Sequence, residues 1–146
     1  MAAARGATVL STDVEPLSLC LLRQAAAEQS LHLDTALCDV LDLDAPLPHI
    51  GGRAADLLLI SDCFVTPDLA AALGARTAEA LEQGTTVLVV DPQRPTRRDF
   101  LSALRQYGVE GAQFCNIEDR RREIVPGAGE LHLFETGVGV PVFYEI

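Results

Sequence analysis

The sequence predicts an α/β fold built on a mostly parallel sheet, with an antiparallel hairpin at its C-terminal end. Three observations carry that expectation. The run Leu57, Leu58, Leu59, Ile60 is apolar without alternation and is cut off by Ser61 and Asp62, the composition of a strand covered on both faces. Strand-like and helix-like stretches alternate from Thr8 to Gly108, the order that produces parallel pairing. Beyond Gly108 strand patterns take over, which adds an antiparallel edge.

Thr8 to Ser11 reads as a short strand, and Pro16 opens a helix that continues to about Ser30. Leu17, Leu21, Leu22, Ala25 and Ala26 form its apolar stripe, while Arg23, Gln24, Glu28 and Gln29 are left for water. Leu31 to Leu37 is a second strand ending at Cys38 and Asp39. The segment to Arg53 holds Pro46, Pro48, Gly51 and Gly52 and reads as a loop. After the Leu57 strand, Thr66 can cap a helix with Pro67 at its first position; Leu69, Leu73 and Leu81 lie on its covered side and Gly84 stops it.

Thr86 to Val90 is a β-branched strand closed by Asp91 and Pro92. Thr96 with Asp99 resembles a capping box, and Phe100, Leu101, Leu104 and Tyr107 supply the apolar face of a helix ended by Gly108. Val109 to Ile117, Leu131 to Thr136 and Val140 to Ile146 are strand candidates, the last two joined through Gly137 and Gly139 as a hairpin. The run Arg120, Arg121, Arg122 is flanked by Glu118, Asp119 and Glu123, so its charge nearly cancels and it reads as a solvated loop.

The 146 residues suffice for one domain, residues 1–146, and an apolar share of 49% argues against intrinsic disorder. A net charge of −10 disfavours a nucleic-acid backbone or an anionic membrane as partner and weakly favours a cationic one. Cys20, Cys38, Cys63 and Cys115 are spread without a Cys-x-x-Cys pair; buried free thiols are expected, with no zinc site and no disulfide framework. No segment has the roughly 18 apolar residues of a membrane span, and the first residues lack the apolar core of a secretory signal. An intracellular, cytoplasmic protein is the expectation.

Asp13, Asp39 and Asp62 follow three successive predicted strands at their carboxyl ends, the edge where ligands sit in open α/β sheets. An acid past the first strand can accept from the two hydroxyls of a ribose, and Asp39 from an adenine amino group. Asp62 lies where a reacting group would enter. Each alone also suits a turn or a helix cap. His32, His49 and His132 have no spacing that implies a triad or a metal site, and Gly51 and Gly52 are too few for a phosphate loop.

Taken together, STDVEPLSLCLLRQAAAEQS, ALCDVLDLD, ADLLLISDCFVTPDLAAAL and TTVLVVDPQRPTRRDFLSALRQYG resemble the seven-stranded, Rossmann-like, S-adenosylmethionine-dependent methyltransferases. The branch they resemble holds lysine methyltransferases and nicotinamide methyltransferase-like proteins. The resemblance covers nearly the whole chain. It implies methyl transfer from S-adenosyl-L-methionine to a protein lysine or a small amine. Asp13 would hold the cofactor ribose, Cys38 and Asp39 the adenine, and Cys63 and Phe64 the acceptor, with Asp62 as the catalytic acid that orients or deprotonates it.

Two departures qualify the resemblance. Val65 stands three places after Asp62, where lysine-modifying members often carry an aromatic residue. The family's first strand and the glycine-rich turn after it have no counterpart. A domain truncated at its N-terminus is therefore expected: either the strands of Thr8 and Asp56 close up directly, or a partner chain fills the place of the missing central strand, or the chain is a fragment that folds poorly. The rival expectations are a non-catalytic interaction module of the same fold and a flavodoxin-like or dinucleotide-binding domain.

Overall fold

The computed structural model describes residues 3–116 and 124–136. They form an α/β fold with parallel strands and three α-helices, in two compact units: residues 3–39 with 48–53, and residues 40–47 with 54–116 and 124–136.

In the first unit, β1 (Leu10–Asp13) and β2 (Asp34–Leu37) pair in parallel through α1 (Pro16–Glu28). β1 begins two residues later than the sequence suggests, so Asp13 closes the strand instead of following it. Pro16 starts α1, and the Glu15 side chain accepts from Leu17 N at 3.2 Å. The expected apolar stripe of α1 is not a buried one. Leu19 and Ala26 are covered, whereas Leu17 is 62% exposed and Leu21 and Leu22 are exposed with it. Two short strands offer too little surface to cover a helix of 13 residues.

In the second unit, four strands run parallel in the order β3 (Leu57–Ser61), β4 (Thr86–Asp91), β6 (Leu131–Glu135), β5 (Cys115–Asn116). β4 is paired on both edges, and Thr86, Val87 and Val89 are completely buried. The buried Thr86 hydroxyl is satisfied by donating to Val125 O and accepting from Ala128 N. The β-branched run is thus a central strand, as its composition predicts.

The crossover helix α2 (Pro67–Glu82) begins as expected: Thr66 accepts from Leu69 N at 3.3 Å and Pro67 fills the first turn. It packs on α3 (Arg97–Gln106) over a core of Ile60, Phe64, Leu73, Val87, Val89, Phe100, Leu104 and Leu133. Each such buried side chain contributes about 1.5–3 kcal/mol.

Several expectations are corrected. Thr96 precedes α3 with helical backbone angles and no capping hydrogen bond; its hydroxyl donates to Phe64 O, tying α3 to the loop after β3. Tyr107 is exposed, because it sits at the C-cap beyond the packed turns. Of the expected 109–117 strand, the described residues keep only Cys115–Asn116. Cys20 and Cys115 are exposed and Cys38 and Cys63 only half-buried, so the four thiols form no disulfide, as expected, but are not core groups. Among the described residues the sheets are parallel throughout; the 140–146 return strand, with its hairpin, and the Arg120–Arg122 run lie outside them.

Two contacts had no sequence signal. Arg76, buried in α2, donates to Glu79 Oε2 at 2.6 Å and to Asp42 O, while Glu79 Oε1 accepts from Leu47 N at 2.9 Å, tethering residues 42–47 to the helix. Gly74 is where α2 and α3 touch: a Cβ there would meet Ala103 Cβ and Phe100 O, both at 2.7 Å. Alanine would ordinarily favour a helix interior by about 1 kcal/mol. Here the Phe100 carbonyl is backbone and cannot give way, so overpacking wins. Gly74→Ala is expected to lower stability by about 1–3 kcal/mol, read from the urea midpoint by circular dichroism.

Candidate functional site

Each predicted site residue sits at the carboxyl end of a parallel strand, within its own unit. In the first, Asp13 ends β1 and its main-chain carbonyl accepts from Cys38 N at 3.0 Å. That bond brings Asp13, Cys38 and Asp39 to one end of the β1–β2 pair. Asp13 is half-buried and its Oδ1 accepts from Glu15 N at 2.8 Å, so the carboxylate also stabilises the turn into α1. A hollow in this unit is lined by Ala7, Thr8, Val9, His32, Leu33 and Asp34, at the opposite, amino end of the strands.

In the second unit, Asp62 is the first residue past β3 and adopts left-handed backbone angles (φ 54°), which aspartate tolerates and which turn the chain off the sheet. Its amide still donates to Val90 O at 2.9 Å. Asp91, the last residue of β4, pairs in register with Glu135, the last of β6. Asp62, Asp91 and Glu135 therefore stand on three adjacent strand ends.

Two arginines answer these three acids. Arg94 Nε donates to Asp62 Oδ1 at 2.6 Å, and its main-chain amide donates to Asp91 Oδ2 at 2.8 Å. The turn that allows both bonds passes through Gln93, a second non-glycine residue in the left-handed region (φ 61°), a costly conformation for a longer side chain. Arg97 Nη1 donates to Glu135 Oε2 at 2.8 Å, and its guanidinium lies over the Phe114 ring.

The environments of Asp62 and Asp91 push their acidities apart. The hydrogen bond from Arg94 holds the Asp62 carboxyl below the usual carboxylate range; desolvation opposes this and the Arg94 charge adds to it. Asp91 is fully buried, and burial pushes its carboxyl up against the Arg94 amide and the charges of Arg97 and Arg94, with the Asp62 charge adding to the rise. Among the described residues Asp91 Oδ1 has no hydrogen-bond partner. A weak acid and a strong one thus stand side by side at this edge. The sequence reading missed Asp91, treating it only as the close of β4, because nothing local marks its burial.

The acceptor residues divide. Cys63 is half-buried; its Sγ donates to Ser61 O at 3.1 Å and burial raises its pKa, which keeps it a thiol. Phe64 is 1% exposed, with its ring 4.7 Å from that of Phe100 and edge-on to Phe114. That ring is a core group and offers no surface to an acceptor. Among the described residues no cluster of His, Cys, Asp and Glu could hold a metal ion, and no helix is long and apolar enough to cross a membrane. Comparison of the chain with protein-family models, curated proteins and solved structures gave no match in any of the three.

The Asp91 assignment is open to a pH test. With its folded pKa raised above the unfolded 3.8, Asp91 costs nothing when both states are protonated; stability falls as pH rises from 3.8 through the folded value. In Asp91→Asn the carboxamide oxygen can still accept from Arg94 N, and any fixed cost of the substitution is the same at every pH. Urea unfolding from pH 4 to pH 7 is expected to shift the difference in the variant's favour as pH rises. A constant difference would mean that the carboxyl is ionised and paired.

Proposed function

We propose that this chain is a Rossmann-like, S-adenosylmethionine-dependent methyltransferase-type domain whose acceptor is a protein lysine or a small amine. The supporting observation is the placement of acids on the first three strands: Asp13 ends β1, Asp39 lies two residues past β2 and Asp62 is the first residue past β3. The antiparallel C-terminal hairpin belongs to this reading as well.

The residues fit the cofactor in part. Asp13 Oδ1 is used by Glu15 N, which leaves the other oxygen to accept from a ribose hydroxyl, and Cys38 and Asp39 stand at the same strand ends for the adenine. When bound, the cofactor supplies an electrophilic methyl group. Its methionine end lacks a cradle: among the described residues no glycine-rich turn follows a strand. On the acceptor side, Asp62 is too acidic, with Arg94 on it, to be an effective base near neutral pH; its part is to bind the protonated amine in place of Arg94, and the amine must lose that proton to water before it can accept a methyl group. Asp91 has the more suitable acidity but no exposed surface.

A second reading, a non-catalytic interaction module of the same fold, is favoured by the hold of Arg94 on Asp62. Calorimetric titration with S-adenosylmethionine separates the two. Binding weaker than about 100 μM that Asp13→Asn removes supports the methyltransferase reading. Absence of any heat supports the module. Micromolar binding would contradict the argument that the missing cradle limits affinity.

A further inference from the structure

Arg94 and Asp62 meet at one point only. Arg94 Nε donates to Asp62 Oδ1, while Asp62 Oδ2 and both terminal nitrogens of Arg94 have no hydrogen-bond partner among the described residues. Arginine and a carboxylate frequently join through two parallel bonds, so this pair is half made. Both side chains are open to water, Asp62 at 55% and Arg94 at 38%. Their main chains are anchored on β4: the Asp62 amide is held by Val90 O and the Arg94 amide by Asp91 Oδ2. An acid and a base are thus kept side by side with hydrogen-bonding capacity to spare.

A protonated amine that takes Asp62 from Arg94 leaves the guanidinium without its anion, and the neighbouring acids are poorly placed to supply another. Glu135 is held by Arg97 at 2.8 Å. Asp91 is fully buried, its Oδ2 already holds the Arg94 amide, and burial pushes its carboxyl toward the neutral form. Its Oδ1 has no partner among the described residues, but a guanidinium reaching it would have to leave water. A ligand that brings only a cation therefore exchanges one ion pair for another and gains little. A ligand that carries a cation and an anion makes two pairs where one stood. A lysine side chain has no carboxylate beside its ammonium, whereas a free amino acid has.

We propose that Asp62 and Arg94 together bind a small zwitterion of the amino-acid type, its ammonium on Asp62 and its carboxylate on the guanidinium of Arg94. This rests on the methyltransferase reading only for the role of that amine as methyl acceptor, and it selects a free amino acid over a protein lysine. The ion pair between the two side chains is the closed form of the site, which the ligand opens by inserting its own two charges.

The test is a titration of the full chain with glycine, methylamine or acetate, at fixed low ionic strength and without S-adenosylmethionine, followed by the nitrogen–proton correlation signals of the Asp62, Cys63 and Arg94 amides. Glycine is expected to give saturable shifts with a Kd on the order of 10 mM, and methylamine and acetate to bind roughly three- to fivefold more weakly, since each leaves one charge of the pair unanswered. Asp62→Asn and Arg94→Gln are each expected to weaken glycine by a similar factor. Arg98→Gln removes the same charge from a side chain paired with Asp99 and should leave glycine binding unchanged. Circular dichroism melting confirms that the variants fold; should one not fold, the three ligands on the unaltered chain decide. No saturable shift with glycine, methylamine or acetate binding as tightly as glycine, or undiminished binding by a folded Asp62→Asn or Arg94→Gln would overturn the proposal. The cofactor titration is read separately: glycine binding without cofactor binding keeps this site and removes its part in methyl transfer, and cofactor binding without glycine binding overturns this site alone.

Discussion

A strand buried within a sheet must find partners for its amides and carbonyls on both sides, and the second unit of this chain is organised by how its strands meet that requirement. β4 meets it in full: β3 lies on one edge, β6 on the other, and even the hydroxyl of its first residue is used to fix the 125–128 segment. Because β4 runs parallel to both neighbours, its last residue is held between theirs. That arrangement is what lines up Asp62, Asp91 and Glu135 at one edge.

Three carboxylates on adjacent strand ends would repel one another if left alone. Arg94 and Arg97, from the turn before α3 and its first residue, divide them into two ion pairs and one buried acid. Both pairs are partly open to water, where such contacts contribute little net stability. Their effect is on chemistry: Arg94 deepens the acidity of Asp62, while burial weakens that of Asp91. This divergence, more than any single residue, is what singles the edge out as the candidate site.

The sequence disclosed what is periodic or locally capped. Leu57–Ile60 and Thr86–Val90 are strands because unbroken apolar runs suit a sheet covered on both faces, and α2 starts where Thr66 and Pro67 say it should. What stayed hidden depends on contacts made at long range. The Thr96 hydroxyl serves Phe64 O, a residue 32 positions away, instead of its own helix. The stripe on α1 is real as a pattern but has little to pack on. Phe64 sits beside an acid in a polar loop, yet its ring belongs to the core with Phe100. At the candidate site, Asp62 was legible from its place after a strand. Its partner Arg94 and the buried Asp91 were not, since neither the fold of the Asp91–Arg94 turn nor the burial of a strand-end acid leaves a local signature.

Among the described residues β4 is bonded on both edges and β3 on one. Residue-resolved amide hydrogen exchange addresses it directly. Slow exchange throughout β4, with slow Leu58 and Ile60 but fast Leu57, Leu59 and Ser61 along β3, is the result this structure requires. Uniform protection of all five β3 amides in dilute solution would contradict it, because the strand would then have a second neighbour and the edge would not be open.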